Sequence, residues 1–98
     1  MSIRYRGHDV VDSHHRLIGT ISDVLYDQQG EAEWAVVDLG LLRSAHYLPV
    51  AVGSMSESGE FVVPFDKRMV KDAPKADRRP FIDASIEGQL VRHYELVE

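Results

Sequence analysis

A chain of 98 residues, 44% hydrophobic and 28% charged, is one globular domain with enough apolar material for a core. Sixteen acidic against eleven basic residues leave a net charge of -5, which argues against a phosphate-driven grip on nucleic acid. There is no cysteine, no apolar run near the ~18 residues of a membrane span, and no apolar stretch in the opening MSIRYRGHD. A cytoplasmic protein is expected, with no disulfide, thiolate metal site, membrane insertion or signal peptide.

Turn signals recur at Gly7, Asp12 to His15, Asp27 to Gly30, Gly40, Gly53 and Ser56 to Gly59. The segments between them are rich in Val, Ile, Leu and aromatics, the cadence of a small β meander or barrel. A short first strand is expected over about His8 to Val11, and a second over Leu17 to Tyr26. In the second, Ile18, Ile21 and Val24 are three apart. That spacing fits neither strict alternation nor a convincing helix. A bulge near Gly19 would place Ile18 and Ile21 on one face, as a tightly bent barrel requires. Gly19, Thr20 and the β-branched content count against a short helix here.

Asp27-Gln28-Gln29-Gly30 reads as a hairpin turn. The third strand, about Ala32 to Leu39, is apolar on both faces, with Trp34 and Val36 on one and Ala35, Val37 and Leu39 on the other. A fourth strand is expected over Ala45 to Val52 and a fifth over Glu60 to Phe65. Pro49 and Pro64 cannot donate to a ladder, so each belongs at an edge or bulge. Asp66 can cap a short helix, Lys67 to Asp72, that Pro74 ends. Asp83 can cap a last helix reaching about Leu96, with Ile86, Leu90 and Tyr94 as its apolar stripe and Val91 widening it. Gly88 weakens that helix, so packing must hold it; Glu87 suits its N-terminal dipole. The expected organisation is a single domain: a barrel over about 6-74, a connector over 75-82 and a C-terminal helix over about 83-96.

The string DVVDSHHRLIGTISDVLYDQQGEAEWAVVDLG resembles the signature of PRC-barrel domains: a short strand and turn, an IG.I.DVL.D strand, a Gly turn and a WAVV..G strand. The resemblance continues through YLPV, through VVPFDK opening a short helix and DAP closing it, and covers about Arg6 to Tyr94. It implies a mainly β protein: a small, highly bent barrel of about five to six strands, a short helix after the last strand, and a C-terminal helix. It also implies protein binding rather than catalysis. The family includes the cytoplasmic part of the photosynthetic reaction-centre H subunit and the C-terminal domain of a ribosome maturation factor. The membrane helix of the first and the extra N-terminal barrel of the second are not expected here, so neither function is carried over.

Several residue groups are candidates for chemistry. His8, Asp9, Asp12, His14 and His15 crowd together, and His8, His14 and His15 are the metal candidates. Successive strand residues point to opposite faces, which opposes chelation, and solvated turn histidines are the plainer account. Ser13 beside His14 and His15 makes no triad by adjacency alone. Asp27 is better read as a turn former than as an acid or base. Asp23 suits backbone amides in a tight bend, and Asp38 completes no recognisable pair. Lys67, Arg68, Lys71, Lys75, Arg78 and Arg79 form a basic segment without interleaved aromatics, diluted by Asp66, Asp72 and Asp77, so a solvated connector is expected. An acidic docking partner is the alternative there. Finally, Trp34, Val36, Ala35, Val37, Leu39, Tyr47, Leu48 and Phe61 are more than a narrow barrel interior is expected to hold. Some must lie under the C-terminal helix, covered by Ile86, Leu90 and Tyr94, or against another chain; for the second case Trp34, Val36, Tyr47, Leu48, Leu90 and Tyr94 are the interface candidates.

The expected function is a non-catalytic protein-protein interaction module, a homodimer or an adaptor, without catalytic residues or cofactors. The alternatives are a small-ligand or metal-binding regulator using the histidine turn, and an RNA- or ribosome-associated assembly factor, which the net charge of -5 disfavours.

Overall fold

Three slips of register along one long strand, one against its first partner and two against its second, curl the sheet. The computed structural model describes residues 4–40, 44–77 and 81–96. β1 (Asp9–Val11) pairs antiparallel with β2 (Leu17–Tyr26), and β2 pairs antiparallel with β3 (Ala32–Asp38). Against β1, Val10 faces Gly19 and Val11 faces Leu17, so Ile18 is an extra residue. Against β3, Ile21 faces Val37 and Asp23 faces Val36, so Ser22 is another. Bulges of this kind bend a strand and shift its in–out alternation. Ile18, Ile21 and Val24 are accordingly all buried despite their spacing. The expected bend beside Gly19 is present. A Cβ at Gly19 would collide with the Asp38 carbonyl and the Val37 side chain, so only glycine lets β2 and β3 approach there.

β4 (Ala45–Pro49) adds antiparallel to β3, and the sheet order is β4-β3-β2-β1-β6-β5. Pro49 thus ends an outer strand, as its missing N–H requires. Two expectations need correction. The fourth strand stops at Pro49, and Val50–Val52 form a single 3-10 turn instead of continuing it. The expected strand Glu60 to Phe65 shrinks to β6 (Phe61–Val62), which pairs antiparallel with β5 (Ser54–Met55) and parallel with β1. The Val63 N–H extends that parallel contact to the Val11 carbonyl at 3.0 Å. Pro64 follows immediately, outside the ladder.

One core joins every layer. Phe61, Ile18, Ile21, Leu48, Leu90, Val10, Val37, Val63 and Val70 are almost wholly enclosed. α1 (Lys67–Lys71) starts at Asp66, whose carboxylate accepts the Met69 N–H at 2.9 Å, and it sinks Val70 into that core. α2 (Ala84–His93) starts at Asp83, which accepts the Ile86 N–H at 2.8 Å. It ends at His93, earlier than expected.

α2 lies on its own barrel. Leu90 and Tyr94 are buried, the Tyr94 hydroxyl donates to the Tyr47 carbonyl at 2.6 Å, and His93 Nε2 donates to the Met69 carbonyl at 2.7 Å. The Phe65 and Tyr94 rings pack 4.8 Å apart. Burial pushes the Tyr94 phenol above its ordinary range, so the hydroxyl is a stable donor to that carbonyl.

The connector does not run free in solvent as expected. Its first residues lie along β4: Lys75 bridges to His46, and the Ala76 N–H donates to the Ala45 carbonyl at 2.9 Å. The outer edge of β4 is thereby covered, which removes a template for sheet-to-sheet aggregation. Among the described residues no helix is long and apolar enough to cross a membrane.

Candidate functional site

The fold corrects most of the expected interface. Trp34, Tyr47, Leu48, Leu90 and Tyr94 are all core residues of the single chain, and Val36 alone among the six candidates stays half-buried. The apolar surplus is absorbed because α1, α2 and the strongly curled sheet supply more interior than a narrow barrel would. Ala35, Val37, Leu39 and Phe61 are buried with them.

Trp34 remains distinctive for another reason. It is 5% exposed, and its indole N–H has no hydrogen-bond partner among the described residues. A buried donor without an acceptor costs about 1–3 kcal/mol, and such a group calls for an explanation. Trp34 lines a cleft of about 500 Å³, within the usual size range for ligand sites. The end of β2 contributes Leu25 and Tyr26, and the following turn contributes Asp27, Gln28 and Gln29. The start of β3 adds Glu33 beside Trp34. The far wall is Phe81 and Ile82, ahead of α2, and Glu87 from its first turn. Tyr26 and Phe81 are 61% and 57% exposed, among the largest apolar groups left in solvent.

Local chemistry explains why these side chains meet. The Asp27 carboxylate accepts the Gln29 and Glu31 N–H groups, both at 2.9 Å, and closes the β2–β3 hairpin under the cleft. Asp83 caps α2 and so fixes the path of Phe81 and Ile82 just before it. Sequence reading identified these residues singly, Trp34 as an interface candidate, Asp27 as a turn former and Glu87 as a helix-dipole residue. It missed Tyr26, Glu33 and Phe81 as site residues. The available signal was an unusually aromatic rim around a turn with three acidic neighbours.

The histidine cluster is dispersed. His8 Nδ1 donates to the Gly59 carbonyl at 2.6 Å, His14 Nδ1 lies 3.5 Å from Arg16, and His15 Nδ1 lies 3.5 Å from Glu60. His8, His14 and His15 therefore face three different partners. Among the described residues no group of three or more His, Cys, Asp or Glu is placed to hold a metal ion. Asp12 is the structural centre of that turn: its carboxylate accepts the His14 and Arg16 N–H groups and the Arg16 guanidinium, at 2.8, 3.0 and 3.2 Å. The Arg16 backbone bond, chiefly, holds its carboxyl below the ordinary carboxylate range.

The other candidates also do structural work. Asp23 binds Arg6 at 3.0 Å and accepts the Val24 N–H at 2.9 Å beside the Ser22 bulge, as expected for a tight bend. Asp38 accepts the Gly40 N–H at 2.9 Å. Of the basic segment, Lys67, Arg68 and Lys71 surround a second cleft of about 530 Å³ with Leu39, whereas Lys75 lies on the β4 edge. Arg78 and Arg79 lie outside the described residues. One pair escaped sequence reading altogether: Ser44 Oγ is 2.7 Å from His46 Nε2, while His46 Nδ1 donates to the Ala73 carbonyl at 2.7 Å. The pair has the outline of a nucleophile and base. His46 is 3% exposed, however, and its bonds tie β4 to the connector.

Comparison with known proteins returns one family. The profile described as PRC-barrel domain matches residues 4–87, most of the chain. No curated protein matches.

Proposed function

The chain belongs to the PRC-barrel domain family, and from that premise we propose that it is a non-catalytic protein-interaction module that seats a partner protein in the cleft beside Trp34. The observation that carries this reading is the conjunction of a buried, unpartnered indole N–H with two aromatic side chains, Tyr26 and Phe81, left more than half exposed at the same cleft. Aromatic groups around a concave, partly polar site are typical anchors of protein recognition. His14 and His15 face different partners, Arg16 and Glu60, and this supports a role without catalysis. A hetero-partner is favoured over a homodimer because the apolar strand residues that motivated the dimer lie inside one chain.

Capture of the tagged protein from its native cytosol tests this, with a Tyr26→Ala/Phe81→Ala variant in parallel. A stoichiometric partner held by the wild type and lost by the variant is expected. The same proteins recovered with both would overturn the reading. Light scattering at high micromolar concentration supplies the oligomeric state. A species near the chain mass of 11.1 kDa is expected, and a stable species of twice that mass would return the homodimer to favour.

A further inference from the structure

We propose that the cleft beside Trp34 takes a basic side chain, arginine or lysine, presented by an extended segment of the partner protein. This rests on the interaction role above and specifies the chemistry of its occupant. Charge carries the inference first. Asp27, Glu33 and Glu87 line the cleft, and no Lys, Arg or His lines it among the described residues. Among the described residues none of the three carboxylates is in an ion pair. They come from the hairpin turn, from β3 and from α2, so only the tertiary fold makes the site acidic. The α2 end beside the cleft does not offset this charge: Asp83 caps it and Glu87 stands in its first turn.

Aromatic surface is the second element. Tyr26 and Phe81 offer exposed rings beside those carboxylates, and a guanidinium or ammonium is attracted to both. The third is the Trp34 side chain, which lines the same cleft. Together these features select a basic side chain over an anion or a purely apolar helix.

The chain contains a single tryptophan, so Trp34 itself reports on the cleft. The full chain is titrated at low salt with the capped peptide acetyl-Gly-Ser-Arg-Ser-Gly-amide and with its citrulline counterpart, which keeps the shape and lacks the charge. The arginine peptide is expected to change Trp34 emission saturably, half-complete near ~1 mM, the scale of one anchoring side chain. The citrulline peptide is expected to bind roughly fivefold more weakly, and Glu33→Gln/Glu87→Gln to weaken the arginine peptide by about tenfold. Equal binding of the two peptides, or no saturable change up to ~10 mM, would overturn the proposal. Emission that shifts with protein concentration alone would assign the cleft to a second copy and likewise overturn it. A partner lost with Tyr26→Ala/Phe81→Ala but retained by Glu33→Gln/Glu87→Gln removes the basic occupant and leaves the interaction role standing.

Discussion

The turns Asp12–Arg16 and Asp27–Glu31 are built alike. In each, the first N–H donates to the fifth carbonyl, at 3.0 Å and 2.8 Å, and the fourth N–H donates back to the first carbonyl, at 2.9 Å and 3.0 Å. In each, the aspartate Oδ1 accepts from the third and fifth N–H groups. In each, the fourth residue has positive φ: 63° at His15 and 80° at Gly30. The hairpin Ser56–Glu60 repeats the backbone bonds, with Gly59 at 86°, but its Ser56 hydroxyl accepts from the fifth N–H and meets the Ser58 hydroxyl at the third residue. In the two aspartate turns the bonding is the same, but the surroundings are not. Asp12 is buried and also holds the Arg16 guanidinium, while Asp27 is half-exposed on the rim of the cleft. A non-glycine residue tolerates the left-handed position only in the turn that its neighbours brace: His15 leans on Glu60, and His8 ties the adjoining Gly59. One local scheme thus serves as a buried brace in one place and lines the cleft beside Trp34 in the other.

Removing the carboxylates tests that contrast most severely. Asp12→Ala leaves the His14 and Arg16 N–H groups and the Arg16 guanidinium without their buried acceptor and is expected to lower the urea midpoint far more than Asp27→Ala, which should cost about 1 kcal/mol. Equal losses would mean that the two turns differ only in appearance. The left-handed position comes next. Gly30→Ala is expected to destabilise by about 1 kcal/mol, because a Cβ is disfavoured at that φ. His15→Gly should do the reverse, stabilising by roughly 0.5 kcal/mol once the flexibility of glycine in the unfolded chain is counted. Destabilisation by His15→Gly would show that the imidazole contributes more than its backbone strain.

Acid dependence sharpens the difference further. The Asp12 carboxyl is held below its unfolded value near ~3.9, so the unfolded chain takes up its proton first as pH falls. The stabilisation is complete above that value and is lost as pH drops through the lower folded one. Urea unfolding between pH 5 and pH 2.5 should therefore show a shallower acid decline in Asp12→Asn than in the wild type. An unchanged slope would remove Asp12 from the acid response. The smallest effect belongs to Glu60→Gln. The His15 side chain is 69% exposed, and loss of so open a contact should change stability by less than ~0.5 kcal/mol.

Much of the fold is written locally. The Asp and Gly positions of the hairpins, the three-residue spacing in β2, the caps Asp66 and Asp83, and the stripe Ile86, Leu90 and Tyr94 each act over a few residues. Their effects are legible without knowledge of the rest. In the hairpin β5–β6 the turn and β6 were legible but β5 was not, since a two-residue strand has no periodicity to detect. Nor was the parallel pairing of β6 with β1, which joins Phe61 to Val10 across fifty residues of chain. The candidate site was less visible still. Tyr26 reads as a strand end, Glu33 as a solvent-facing strand residue and Phe81 as part of a connector.

By itself, then, the sequence determined the element types, the bend in β2, the turn chemistry and the family to which the chain belongs, because periodicity, glycine placement and capping are short-range effects. Only the tertiary structure decided that α2 folds onto its own barrel, that Trp34, Tyr47 and Leu48 belong to the core, and that three carboxylates meet two exposed aromatic rings around one unpartnered indole N–H. Such outcomes depend on which distant surfaces exclude water from one another, and no local pattern of residues encodes that choice.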